Sequence, residues 1–123
     1  MINLPEFVPE VPEVPEVPED GDIYSKLMAI SQEAIEKAHY ETAYHALCAA
    51  MHYAQNIGDK HRLKAVEAAA KQQRDWIDAH APGHRMSTQS AILRKGINLY
   101  DTLGRQAATQ ALLVIKKQDQ LLP

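Results

Sequence analysis

The side chains best suited by type to chemistry sit in one short stretch, Glu41, His45, Cys48 and His52. Their offsets of four, three and four residues place all four within about 60° of one another on a helix, so a carboxylate, two imidazoles and a thiol share one edge. These are zinc and copper ligand types, and the i, i+3 or i, i+4 spacing lets two of them reach one ion. One straight helix cannot easily wrap three or four ligands around a tetrahedral metal. The expectation is therefore a polar helix face in which Cys48 acts as a small apolar residue, with no bound metal or cofactor. Cys48 between His45 and His52 is a weak nucleophile arrangement as well, because helical side chains lean toward the N-terminus and rarely open onto a cleft. The sequence has no glycine-rich phosphate loop, no G-x-S-x-G elbow and no H-E-x-x-H pair, so a non-enzymatic chain is expected. His80 and His84 flank Pro82-Gly83 and read as solvated loop histidines.

The elements that carry these residues are helical, because from Ile23 onward apolar residues follow a helical period and no stretch alternates with period two. The first segment repeats Ile23, Leu27, Ile30, Ala34 and Ala38 behind an N-capping Asp22. The second repeats Ala43, Leu47, Ala50, Met51, Ala54 and Ile57, and Gly58 closes it. No glycine or proline separates the two. At ~100° per residue their stripes would centre about 140° apart on one unbroken helix, so the spacing predicts a turn near His39-Tyr40. Asp59 caps a third helix with the stripe Leu63, Val66, Ala70 and Ile77, widened by Ala69 and Trp76 and ended by Ala81-Pro82-Gly83.

A fourth helix starts near Ser87 or Thr88 and could reach Gln118, along the stripe Leu93, Gly96, Tyr100, Gly104, Ala107, Ala111 and Val114. About thirty residues make ~45 Å, which is long for a body whose radius of gyration should be ~13 Å. Either the helix breaks near Gly104 or part of it packs on another chain. A glycine inside a helix costs about 1 kcal/mol relative to alanine, so Gly96 and Gly104 beside Tyr100 predict the close approach of another helix. The expected fold is all-α: about four helices over residues 23–119, forming two hairpins in a helical-repeat or four-helix-bundle arrangement. A homodimer is expected, with the fourth helix supplying contact through Gly96, Tyr100 and Gly104.

With 123 residues, 46% apolar and 24% charged, the chain holds one domain. A single cysteine excludes an internal disulfide and a four-cysteine zinc site. No apolar run of about 18 residues and no charged-then-apolar start occur, which predicts neither a membrane span nor a secretory signal and makes the cytoplasm the expected location. Residues 1–22 hold seven acidic side chains and no lysine or arginine, so with a chain total of −3 the remainder carries +4. Lys60, Arg62, Lys64, Lys71, Arg74, Arg85, Arg94 and Lys95 make a modest basic surface. That balance is weaker than a dedicated nucleic-acid domain shows, and Ala81 to Met86 is too long for a helix-turn-helix turn.

In the acidic segment Val-Pro-Glu recurs with period three from Val8 to Glu19, the period of a polyproline II helix. Val8, Val11, Val14 and Val17 then line one edge, and Glu10, Glu13, Glu16 and Glu19 another. The composition predicts an extended or disordered tail that orders against a partner, with Val11 and Val14 making contact and Glu13 and Glu16 giving orientation.

The stretch from Ala34 to Asp59 resembles a tetratricopeptide repeat. Leu27, Ile30 and Ser31 occupy that pattern's first-helix positions, with Ala34 in place of its tyrosine; Tyr40 sits at the turn, and Ala43, Leu47 and Ala50 follow at the expected spacing. Gln55 replaces the closing proline. The resemblance implies a helical hairpin that binds a peptide or protein, and it supplies no catalytic residue. Lys60 to Gln118 does not repeat the pattern, so a lone hairpin must be covered by the second helical pair or by a partner chain. The expected function is a non-enzymatic helical interaction or scaffold module that binds a protein or itself. The alternatives are a small ligand- or metal-binding helical sensor and a weak nucleic-acid binder.

Overall fold

Four side-chain caps and three left-handed closures divide the chain into its helices. The computed structural model describes residues 22–121, so the Val-Pro-Glu strip, with Val11, Glu13, Val14 and Glu16, lies outside the described residues. Five helices follow in order: α1 (Ile23–Glu36), α2 (Tyr40–Ile57), α3 (Lys60–His80), α4 (Thr88–Leu93) and α5 (Leu99–Gln120). No strand occurs among the described residues. Asp22 accepts from the Ser25 N–H, Asp59 from His61 and Arg62, Ser87 from Ser90 and Asn98 from Tyr100. Each cap satisfies backbone donors that a helix start leaves orphaned and contributes about 1 kcal/mol.

Three of the helix ends share one device. After α1, the His39 N–H donates to the Ala34 carbonyl at 2.8 Å and the Ala38 N–H to Ile35 at 3.1 Å, with Ala38 at φ 62°. After α2 the same pair of bonds closes on Gly58 at φ 65°, and after α4 on Lys95 at φ 56°. This is the Schellman closure, which needs a left-handed residue that glycine fills most easily. The turn between α1 and α2 thus falls at Lys37–His39, where the change of phase predicts one, although alanine rather than glycine makes it.

α1 and α2 form one hairpin, α3 packs on α2, and the most extensive contact is α3 against α5. Leu47, Leu63, Val66, Ile77, Tyr100 and Leu103 are fully buried between them. Ala43, Ala50, Ala54, Ala70, Ala107 and Ala111 are buried as well, and their small side chains let the helices approach closely.

Two expectations change. The inward face of α1 is Tyr24, Ser31, Ala34 and Ile35, whereas Ile23 and Ile30 are exposed. The helix is rotated because Tyr24 donates to the Arg62 carbonyl and Ser31 reaches across to α2 and α3. The fourth helix breaks at Arg94–Asn98, not at Gly104, and α5 continues unbroken through Gly104. With 21 and 22 residues, α3 and α5 are each about 32 Å long and pack side by side and antiparallel, Arg74, Gln73 and Ala70 meeting Asp101, Tyr100 and Gly104 in turn.

Candidate interaction surface

The four side chains singled out on α2 do not converge. Glu41 accepts from Arg85 Nε at 2.6 Å and stands 3.9 Å from His84 Nε2, and the Arg85 bond holds its carboxyl below the ordinary range. His45 and His52 are exposed, and Cys48 is half-buried against the core. Burial pushes the Cys48 thiol above its ordinary value, which lowers the thiolate fraction that nucleophilic attack or metal ligation requires. Among the described residues no group of three or more His, Cys, Asp or Glu is placed to hold a metal ion.

The loop histidines are not simply solvated. His84 Nδ1 accepts the Met86 N–H at 3.0 Å while its ring meets Tyr40 edge-on at 4.9 Å. His80 stacks on Trp76 at 3.8 Å, and Trp76 is exposed rather than part of the α3 core stripe. The basic residues are partly neutralised within the chain: Arg62 pairs with Asp22 and Asp59, Arg74 with Asp75 and Asp101, and Arg85 with Glu41.

Gly104 and Tyr100 are used inside the body. The helix that passes Gly104 is α3 of the same chain, but a Cβ there would lie 3.8 Å from Ala70 Cβ, an ordinary contact, so the approach is not close enough to require glycine. Tyr100 is buried, and its hydroxyl donates to Gln73 Oε1 at 2.8 Å. Gln73 Nε2 donates to Ser31 Oγ at 2.8 Å, and Ser31 donates to the Ala43 carbonyl at 2.7 Å. This polar chain joins α5, α3, α1 and α2 through the middle of the core. Gly96 sits in the turn after α4, beside the Arg94 side chain.

That turn belongs to a segment of unusual character. Ile92, Leu93 and Ile97 are 68, 76 and 61% exposed, and Leu99 is exposed as well. Yet the segment is firmly anchored. Thr88 donates from N and Oγ1 to the two oxygens of Asp78 at 2.8 and 2.7 Å, and Asn98 Nδ2 donates to Thr88 Oγ1 at 3.0 Å. Ser87 donates to the Pro82 carbonyl at 2.6 Å, and Ala91 plugs the segment into the body. The sequence reading places Leu93 in a buried stripe because it takes residues 88–118 as one helix. The signal for the break is Asn98, a strong N-cap type, with Asp101 three residues on.

These features define an all-α body built from packed hairpins, with an anchored aliphatic segment at one end. No helix among the described residues is long and apolar enough to cross a membrane. No family model matches the chain, and comparison with curated proteins and with solved structures also finds no match.

Proposed function

We propose that the chain is a non-enzymatic helical interaction module that docks a protein partner, or a second copy of itself, through residues 92–99. The observation that carries this reading is the exposure of Ile92, Leu93, Ile97 and Leu99 on a segment held by Asp78, Thr88 and Asn98. Burying a leucine or isoleucine side chain contributes about 1.5–3 kcal/mol, so covering three of them is on the order of several kcal/mol before the entropy of association is subtracted. Arg94 and Lys95 rim the segment and favour a partner surface that carries carboxylates. The tetratricopeptide-like hairpin supports the same reading, with Ser31 and Ala43 in contact where that pattern has small residues. In this reading α3 and α5 cover the hairpin. A cytoplasmic setting fits the free thiol of Cys48.

Sedimentation equilibrium of the wild type and a Leu93→Ser/Ile97→Ser variant tests this. The wild type is expected to exceed the 13.7 kDa of one chain at high micromolar concentration, or to form a complex with a defined partner. The variant should lose that assembly while its melting temperature stays put. A wild type that stays at one chain's mass, together with a variant that keeps every complex, would sink the proposal.

A further inference from the structure

An open groove of 660 Å³ lies between the C-terminal end of α2 and the C-terminal half of α5. It sits at the far end of α5 from residues 92–99. Ile57, Leu113, Val114 and Leu121 form its apolar wall, Lys116 and Lys117 also line it, and among the described residues no carboxylate does. Ile57, Leu113 and Leu121 are exposed, so the wall is uncovered among the described residues.

The chain enters the described body at this same end. Asp22 and Asp59 share the Arg62 guanidinium, at 2.8 and 3.4 Å, and Asp59 follows Gly58, which lines the groove. Asp22 therefore enters the body at the α2–α3 turn, the end of the molecule on which the groove opens. Gly21 and Asp20 can bridge ~7 Å, and the nearest Val-Pro-Glu pair beyond them is Val14 to Glu19.

We propose that residues 14–19 of the chain's own N-terminal segment dock in this groove as a polyproline II strip, with Val14 and Val17 on Val114 and Leu121, and Glu16 and Glu19 beside Lys116 and Lys117. The spacings agree: valines three apart in polyproline II are ~9.3 Å apart, and Val114 and Leu121, seven apart on one face of α5, are ~10.5 Å apart. Lys117 lies between those two on the helix, as a glutamate lies between the two valines on the strip. The charges agree as well, because the charged side chains of residues 1–22 are all acidic and those lining the groove among the described residues are both lysines. Tethering makes docking intramolecular, at an effective concentration in the millimolar range for a short flexible connection, so modest contacts suffice. Any other occupant of the groove must displace the strip.

Amide spectra of the ¹⁵N-labelled full chain test this proposal. In a Val14→Ser/Val17→Ser variant the amides of Ile57, Val114 and Leu121 should shift, those of Leu93 and Ile97 should not, and the differences should persist on dilution. Lys116→Glu/Lys117→Glu should shift the same groove amides, and adding Glu16→Lys/Glu19→Lys should restore them. Groove amides that ignore the valine substitutions would overturn the proposal. Differences that vanish on dilution would also overturn it, by assigning the strip to the groove of a second copy.

Discussion

Tyr100, Gln73 and Ser31 place three polar groups where apolar ones could have packed, and each is satisfied by the next. Removing one end of such a chain leaves a buried group without its partner, which costs about 1–3 kcal/mol. Tyr100→Phe, which strands Gln73 Oε1, is expected to lower stability by that amount in urea unfolding. Ser31→Ala added to it should cost less than the two separate losses combined, because both act on one network. Strict additivity would show that the three groups act independently. The helical period of Leu63, Val66, Ala70 and Ile77 puts Gln73 on the inward face of α3, but nothing in the sequence names the polar groups that satisfy it there. Ser31 on α1 and Tyr100 on α5 supply those partners.

At the scale of elements, the closures and the close contacts carry opposite strains. Ala38 holds a left-handed conformation that costs an L-residue roughly 1–2 kcal/mol and glycine almost nothing. Ala38→Gly should therefore stabilise the α1–α2 turn by about 0.5–1 kcal/mol, after subtracting glycine's larger freedom in the unfolded chain. Gly104 is the reverse case. Its added Cβ would make an ordinary 3.8 Å contact with Ala70, so Gly104→Ala should gain up to about 1 kcal/mol from helix propensity alone. Thermal melting reads both, at about 4–8 °C per kcal/mol for a domain of this size. A lower melting temperature for Gly104→Ala would mean that α3 and α5 lie too close to admit a methyl group. The capping residues Asp22, Asp59 and Ser87 and the stop at Gly58 are legible in the sequence because each acts within a few residues of itself.

For the molecule as a whole, the tyrosines tie the core to pH. Burial pushes Tyr44 from the ordinary 10.0 up to about 12, and raises Tyr100 further. An unfolded chain would lose these protons first as pH rises, so their contribution is intact below pH 10 and lost on passing through the folded values. Alkaline titration followed by circular dichroism and phenolate absorbance should therefore show cooperative unfolding starting above pH 10. Phenolate absorbance from Tyr44 and Tyr100 should appear together with that unfolding. Full ionisation of Tyr44 near pH 10 in a still-folded chain would contradict the burial that the fold assigns it.

The sequence by itself determined the helical class, the turn between α1 and α2, and the inward faces of α2 and α3 apart from Ile57 and Trp76, which the stripes include and the structure exposes. Periodicity and caps are set by neighbours three or four residues away. It determined the opposite charges of the N-terminal segment and the body by composition alone. Only the tertiary structure decided that α1 turns Ser31 rather than Ile30 inward, because that rotation depends on an acceptor on α2 and a donor on α3, 12 and 42 residues away. It likewise decided that the last helix breaks at Arg94–Asn98. Asn98 caps α5 while bonding Thr88, which Asp78 of α3 holds, and the four aliphatics of residues 92–99 stand on the surface of that anchored segment.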